Sequence, residues 1–434
     1  MIEGVANLFK VPELRKRIVF TVLLLIVYRI GAHIPTPGID VHAFSILFSK
    51  AAGTLVGFFD IFTGGALRRF SIFALGIMPY ISVSIILQLL VVVIPYLEKL
   101  SKEPDGRKKI NQYTRYGTVP LTAIQALGTA IWLQNQRIED MAVVPHPGFA
   151  FLVMTTLTLT AGTIFLMWLG EQITERGIGN GISLLIFIGI VVRMPEAIVN
   201  SWRLLAVGEL KIWNFFLVLI LMVLVVAGVI VMTLGHRRIP VQYAKRVVGR
   251  RIYGGQTTHI PLRVNTAGVI PVIFAVSVIV FPATLAQFFR HPWMQWVAQL
   301  FSPGHFVYMI SYGAMIIFFT YFYTAIIFNP ADVAENMKKY GGFIPGIRPG
   351  TKTVEFIEKV LDRITFVGAI YLALISILPE ILIAWFNIPF FFGGTSLLIV
   401  VGVALDTVQQ VEAHLLMRHY EGFLKKGKVR GRLS

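Results

Sequence analysis

The 434-residue chain contains no cysteine, which excludes a disulfide framework and any thiolate metal site. Charge is also scarce: 14% of the residues are Asp, Glu, Lys or Arg, while 56% are hydrophobic. Soluble globular chains run at about 25% charged and about 45–50% apolar. The shortage excludes a disordered tail protein, a coiled coil and an ordinary cytosolic enzyme. Negative charge is the rarer sign, with 22 acidic against 39 basic residues and a net charge of +17. Signatures of covalent chemistry are missing as well. The nine His have no metal spacing, and no Walker motif or catalytic constellation stands out. Gly177-Ile-Gly-Asn-Gly181 lacks GxGxxG spacing and follows an apolar run, so it reads as a helix stop and tight turn.

Long apolar runs are what the chain does have. A membrane helix needs about 20 predominantly apolar residues. The runs predict spans over residues 18–34, 71–97, 117–134, 149–170, 182–202, 212–234, 266–289, 306–328, 364–386 and 393–412. The third carries Pro120 and Gln125, and the fifth is interrupted by Arg193 and Pro195. Residues 1–17 read as a short amphipathic segment, with Pro12-Glu13 suited to the first turn of a helix. Lys and Arg decide the orientation. Of the 39, 30 fall on the N-terminal tail and the alternate connections that share its side, and nine on the others. The positive-inside rule then places both termini in the cytoplasm and favours an even number of spans. Gln172–Gly181 dissents, being cytoplasmic by parity with Arg176 alone.

The connection over residues 235–264 exceeds what orientation requires, with seven Lys and Arg and no acid. It reads either as topology plus lipid headgroup contact or as a docking arm for a large anionic or acidic partner. The connection over residues 329–363 is a second long excursion, with a Gly/Pro-rich tip at Gly341–Gly350.

Ionisable residues inside spans mark coupling or substrate sites, and they are few. Arg29 and Glu171 lie near span ends, Arg193 interrupts a weak span, and Asp406 lies two-thirds along the last one. An internal echo is more telling. Gly76-Ile-Met-Pro79-Tyr-Ile81 opens the second span and Gly268-Val-Ile-Pro271-Val-Ile273 opens the seventh. Five spans separate them and they run in opposite directions, so one half reads as an inverted copy of the other, with a pathway near the midplane between repeats. A proline inside each helix would free a carbonyl and permit a kink. The stretch Gly57–Ala66 is apolar but too short to cross, which suggests a re-entrant or interfacial piece, with glycines at both ends as hinges.

Several of these stretches resemble the SecY family, the channel subunit of the bacterial Sec protein-conducting translocon. The matching segments are Phe70–Ile81, Ile110–Gly117, Trp168–Ile182, Gly249–Tyr253, Phe343–Gly350 and Gly393–Val401. The resemblance implies an all-α polytopic membrane protein. Its ten transmembrane helices would form two inverted five-helix halves, residues 1–205 and 206–434, as a clamshell around a central pore. The aliphatic pore ring is expected at Ile77, Ile81, Ile182, Ile186, Ile273 and Ile399. The plug that closes the pore from outside is expected over Gly57, Phe58, Phe59, Asp60, Ile61, Phe62, Thr63, Gly64, Gly65, Ala66 and Leu67. A lateral gate for signal sequences would lie between spans 2–3 and 7–8. Arg250, Arg251 and Arg348 would contact a ribosome or the SecA ATPase on the cytoplasmic side. The implied partners also include SecE, SecG, signal sequences, nascent polypeptides and membrane lipids. The implied location is the bacterial inner membrane, with no catalytic residue, metal or cofactor. The competing reading is a secondary transporter with a five-plus-five inverted repeat. A coupled transporter needs carboxylates or unwound polar backbone at the midplane; Asp406 is the one candidate the sequence offers for that role.

The absence of native thiols makes orientation directly measurable. A cysteine replacing Ser434 is expected to resist impermeant thiol reagents in whole cells, and one replacing Lys211 to react. The reverse pattern contradicts the charge count and the span assignment together.

Overall fold

The computed structural model describes residues 11–51, 55–138, 141–208, 212–243, 246–248, 251–253, 257–288, 293, 296, 299–301, 305–386 and 394–426. The chain divides into two compact units. One comprises Met1–Ile198, Phe281–Ala298 and Val403–Ser434, and the other Val199–Val280 and Gln299–Gly402.

In chain order the first elements are α1 (Pro12–Gly31), α2 (Val41–Ala51), α3 (Leu55–Thr63), α4 (Met78–Val93), α5 (Pro95–Lys102) and α6 (Gly106–Gln134). A two-residue strand pair, β1 (Arg137–Ile138) and β2 (Met141–Ala142), leads into α7 (Phe149–Arg176), α8 (Gly181–Val192), α9 (Met194–Val207) and α10 (Ile212–Leu234). Then come β3 (His236–Tyr243), β4 (Arg246–Val248), β5 (Arg251–Tyr253), β6 (Thr257–Arg263) and α11 (Ile270–Phe288). The chain continues with α12 (Phe306–Ile327), α13 (Pro330–Lys339), β7 (Gly342–Phe343), α14 (Thr351–Phe386) and α15 (Gly394–Lys426).

Each predicted span contains helix among the described residues, although residues 71–77 and 266–269 lie outside it. Among the described residues six helices are long and apolar enough to cross a membrane, or seven if α4 and α5, bent by 100° at Ile94, count as one. Spans 1, 3 and 7 fall short, the first two for legible reasons. Helix α1 carries Arg15, Lys16, Arg17 and Arg29, and α6 is diluted by Pro120, Gln125 and several threonines. Span 5 is two helices, α8 and α9, with Arg193 as the junction residue.

The architecture is mostly helical, and the strictly all-α expectation is corrected in the connections. Strand β3 pairs antiparallel with β6 from His236↔Arg263 to Gln242↔Thr257, and β7 joins it at Gln242↔Phe343 and Tyr243↔Gly342. The two long connections, 235–264 and 329–363, therefore build one three-stranded sheet. Ile239, Val241 and Leu262 turn inward from it onto Met337, Ile344 and Ile357. The alternating burial of β3 is the strand period of two. In the first unit, Phe44, Phe70, Phe151 and Leu159 pack with Ala126, Ala130 and Leu133.

The second span does not begin as a helix at residue 71. Residues 64–77 are turns, and α4 starts at Met78. Pro79 is thus the second helical residue, and Pro271 holds the same place in α11. The expected mid-helix kink is replaced by a helix start, where a missing N–H costs nothing. The echo in sequence is an echo in geometry. Gly76 has φ 58° and Gly268 φ 65°. Ile81 N–H donates to the Ile77 carbonyl at 3.2 Å and Ile273 N–H to the Val269 carbonyl at 3.3 Å, equivalent positions of the motif.

A side chain in the left-handed region costs about 1–2 kcal/mol. Both Gly76→Ala and Gly268→Ala are expected to lower the unfolding temperature in detergent. Gly76→Ala should lose more, because an added Cβ meets Thr63 Cγ2 at 2.9 Å, while nothing lies within 4 Å at Gly268. Equal losses contradict a tight seat for Thr63.

Candidate pore seal

Helix α3 is nine residues long, too short to span, and it lies entirely in the first unit. Gly57 is inside this helix rather than at a hinge before it, while Gly64 and Gly65 follow it with φ 64° and 84°. The side chains of Phe58 and Phe59 lie outside the described residues. Phe62, Thr63 and Ala66 are buried, and Gly57, Ile61 and Leu67 are half-buried. Helix α3 packs against α8. The approach is backbone on backbone: a Cβ added to Gly64 would lie 2.7 Å from Gly189 Cα. Glycine is required at Gly64, and at Gly189 an added Cβ would press on the Phe62 carbonyl at 3.0 Å.

Asp60 has no exposed surface. Its Oδ2 accepts from Arg193 NH1 at 2.8 Å. Its Oδ1 accepts from the Arg68 N–H at 2.9 Å and, at 3.4 Å, from Thr63 Oγ1. Burial pushes the Asp60 carboxyl above the usual carboxylate range, opposed chiefly by Arg193 and the Arg68 N–H. The Tyr28 hydroxyl donates to the Thr63 carbonyl at 3.0 Å, and Arg29 NH1 to the Gly64 carbonyl at 2.9 Å. A second ion pair, Arg68–Glu196 at 3.0 Å, lies in the open. Removing one partner of a buried pair costs about 3–5 kcal/mol, whereas an exposed pair contributes about 0–1 kcal/mol. Beside the glycine turn, Arg29, Arg68, Arg69 and Arg193 line a cavity of about 440 Å³ with Glu196.

The ring candidates fall on helix starts. Ile77 precedes α4 and Ile81 follows one turn later; both are buried. The Asn180 side chain caps α8, accepting from the N–H groups of Ile182 and Ser183 at 3.1 and 3.3 Å. That cap fixes Ile182, half-buried, and Ile186, buried, at i and i+4 on one face. These four belong to the first unit. In the second unit Ile273 and Ile399 are buried in α11 and α15.

Of the docking candidates, Arg348 is exposed between β7 and α14, its carbonyl accepting from Thr353 Oγ1 at 3.0 Å. Arg251, the first residue of β5, pairs through its backbone with Val248 of β4. Arg250 lies outside the described residues. Arg237 and Arg238 are exposed on β3.

The signal in sequence for the clamp on α3 was charge in an apolar stretch, Asp60 in one and Arg193 in another. Nothing in the sequence joined them across 133 positions.

A family model described as SecY matches residues 71–408. A protein of Pseudomonas aeruginosa named protein translocase subunit SecY is 50% identical over 424 residues, covering 96% of this chain and 95% of its own. The Aquifex aeolicus protein of the same name is 44% identical over 429 residues, covering 98% and 100%. Among solved structures, one of a protein-conducting channel superposes with a TM-score of 0.65 at 17% identity, over 95% of this chain and 97% of that one. Sec61 in a canine ribosome–channel complex gives 0.60 at 17% identity, over 95% and 97%.

Proposed function

The chain belongs to the SecY family of protein translocase subunits, multi-pass membrane proteins with a channel role, and on that premise we propose how it conducts polypeptide. Ten transmembrane helices form two inverted five-helix halves, and the pore runs between them. Ile77, Ile81, Ile182, Ile186, Ile273 and Ile399 form its constriction. The observation that carries this reading is the Gly-x-x-Pro-x-Ile start of α4 and α11, repeated in sequence and in backbone geometry, each ending on a ring residue.

An aliphatic constriction excludes small ions by dewetting. It presents no fixed donor or acceptor, so it does not discriminate among translocating side chains. Isoleucine is branched at Cβ and stiff at χ1, which keeps a narrow ring narrow. Residues 57–67, built around α3, seal in series with the ring. Signal sequences leave sideways between spans 2–3 and 7–8 into the bilayer. The transporter reading is not favoured, because the ring positions carry no carboxylate; Asp406 lies further along α15, beyond Ile399.

A passive pore supplies no work, so a partner must. The sheet formed by β3, β6 and β7 presents Arg237 and Arg238, with Arg348 in the adjoining connection. These residues, together with Arg250 and Arg251, form the docking face for a ribosome or SecA. SecE and SecG complete the complex in the bacterial inner membrane, with both termini cytoplasmic.

Planar-bilayer conductance without substrate tests the seal. The triple change Ile81→Ser, Ile186→Ser and Ile273→Ser places hydroxyls at the constriction and should let water and ions persist there. Leak is expected to rise, and to rise further when residues 57–67 are deleted. A triple variant as tight as the parent shows that these residues are core packing and that the pore lies elsewhere.

A further inference from the structure

Among the described residues, four polar side-chain ties run from α3 and residues 64–68 to the rest of the first unit. Two of them, from Tyr28 and Arg29, end on the carbonyls of Thr63 and Gly64. A carbonyl is present whatever residue stands there, so these ties hold backbone and do not depend on the side chains of the plug. The Arg68–Glu196 pair depends on side chains, but they are 51% and 54% exposed, and water weakens such a pair. The fourth tie differs in kind. Asp60 is 0% and Arg193 20% exposed, so the carboxylate has no bulk water to fall back on if it loses Arg193. Arg193 stands at the one-residue junction of α8 and α9. The two ion pairs reach from residues 60 and 68 to residues 193 and 196, so a single break in span 5 receives both.

We propose that Arg193 is the positioning residue of the seal: its guanidinium anchors α3 through Asp60, so the plug leaves its seat only by breaking that charge pair. Both oxygens of Asp60 are occupied by Arg193, the Arg68 N–H and Thr63. Thr63 lies in α3 itself and Arg68 directly after the plug segment, so displacing α3 parts the carboxylate from Arg193 and leaves both charges without each other in the same step. The pair also sets where α3 sits. Gly64 meets Gly189 on α8, and Asp60, one helical turn earlier, meets Arg193, one turn further along. Two contacts a turn apart on each helix fix the register of one helix on the other. This inference rests on the plug role of residues 57–67.

The test uses the full-length chain in its complex, in planar bilayers without substrate. Arg193→Gln and Asp60→Asn each remove one charge and are expected to raise resting conductance on the order of ten-fold or more. The double variant should leak no more than the leakier single variant, because the two changes break one interaction. Arg193→Lys keeps the charge and should restore most of the tightness, which a loss of packing alone would not do. Should Arg193→Gln fail to accumulate, Asp60→Asn, which keeps the side-chain shape, carries the test. Charge variants as tight as the parent overturn the latch, as do leaks that add in the double variant. Deletion of residues 57–67 separates the two readings. If the deletion does not leak, the plug role itself fails. If it leaks while both charge variants stay tight, the latch alone fails.

Discussion

Between Thr63 and Met78 the chain is neither helix nor strand, so its N–H and C=O groups must find partners without a ladder. Within a bilayer, irregular backbone survives only where protein covers and satisfies it. Here the partners are supplied from the chain before, within and after the segment. The Thr36 N–H donates to the Phe70 carbonyl at 2.9 Å, and the Ile72 N–H to the Ile34 carbonyl at 3.0 Å. The Leu67 N–H reaches Thr63 Oγ1 at 3.3 Å, and the Phe73 N–H reaches Ser71 Oγ at 3.2 Å. Asp60 takes the Arg68 N–H, and Tyr28 and Arg29 take two carbonyls. Phe70, buried with φ 43°, is the non-glycine residue with positive φ among those described. Such a conformation costs about 1–3 kcal/mol and persists only when its surroundings over-determine it.

That satisfied segment separates the short α3 from the first full helix after it. Were residues 71–77 helical, the ring candidate Ile77 would lie in mid-helix. Instead it is the last residue before α4, and the left-handed Gly76 sets its direction. The same construction at Gly268 places Ile273 at the start of α11 in the second unit. A turn closed by glycine and followed by proline defines a helix start to within a residue. That precision suits a side chain that must stand at one depth in the membrane.

The helices were legible because apolar length is written plainly in composition, and each predicted run contains helix among the described residues. Boundaries were misplaced wherever apolarity and helicity part company, as at the starts of α4 and α14. Apolar residues 71–77 have the hydrophobicity of a span, and only φ values betray the turn. The helix α14 begins at Thr351 rather than residue 364, because its first turns are amphipathic and pack on the sheet through Ile357. The sheet was illegible for a different reason. Basic residues obscured its alternation, and Pro240 argues against a strand interior. It is tolerated because β7 reaches only Gln242 and Tyr243, leaving β3 with one neighbour at Pro240. Arg193 was visible as the break in a span and Asp60 only as a member of the segment 57–67; their pairing is tertiary and needed coordinates.

Whether the six isoleucines line the polypeptide path is measured most directly by disulfide cross-linking. The chain has no native cysteine, so one cysteine at a time can replace Ile81, Ile186, Ile273 or Ile399. A secretory polypeptide with a single cysteine is then stalled in the channel and oxidised. Cross-links are expected from all four positions. None is expected from Leu219 or Val231, which are 47% and 68% exposed on α10. Cross-links from the α10 positions with none from the isoleucines would contradict an aliphatic ring around the translocating chain.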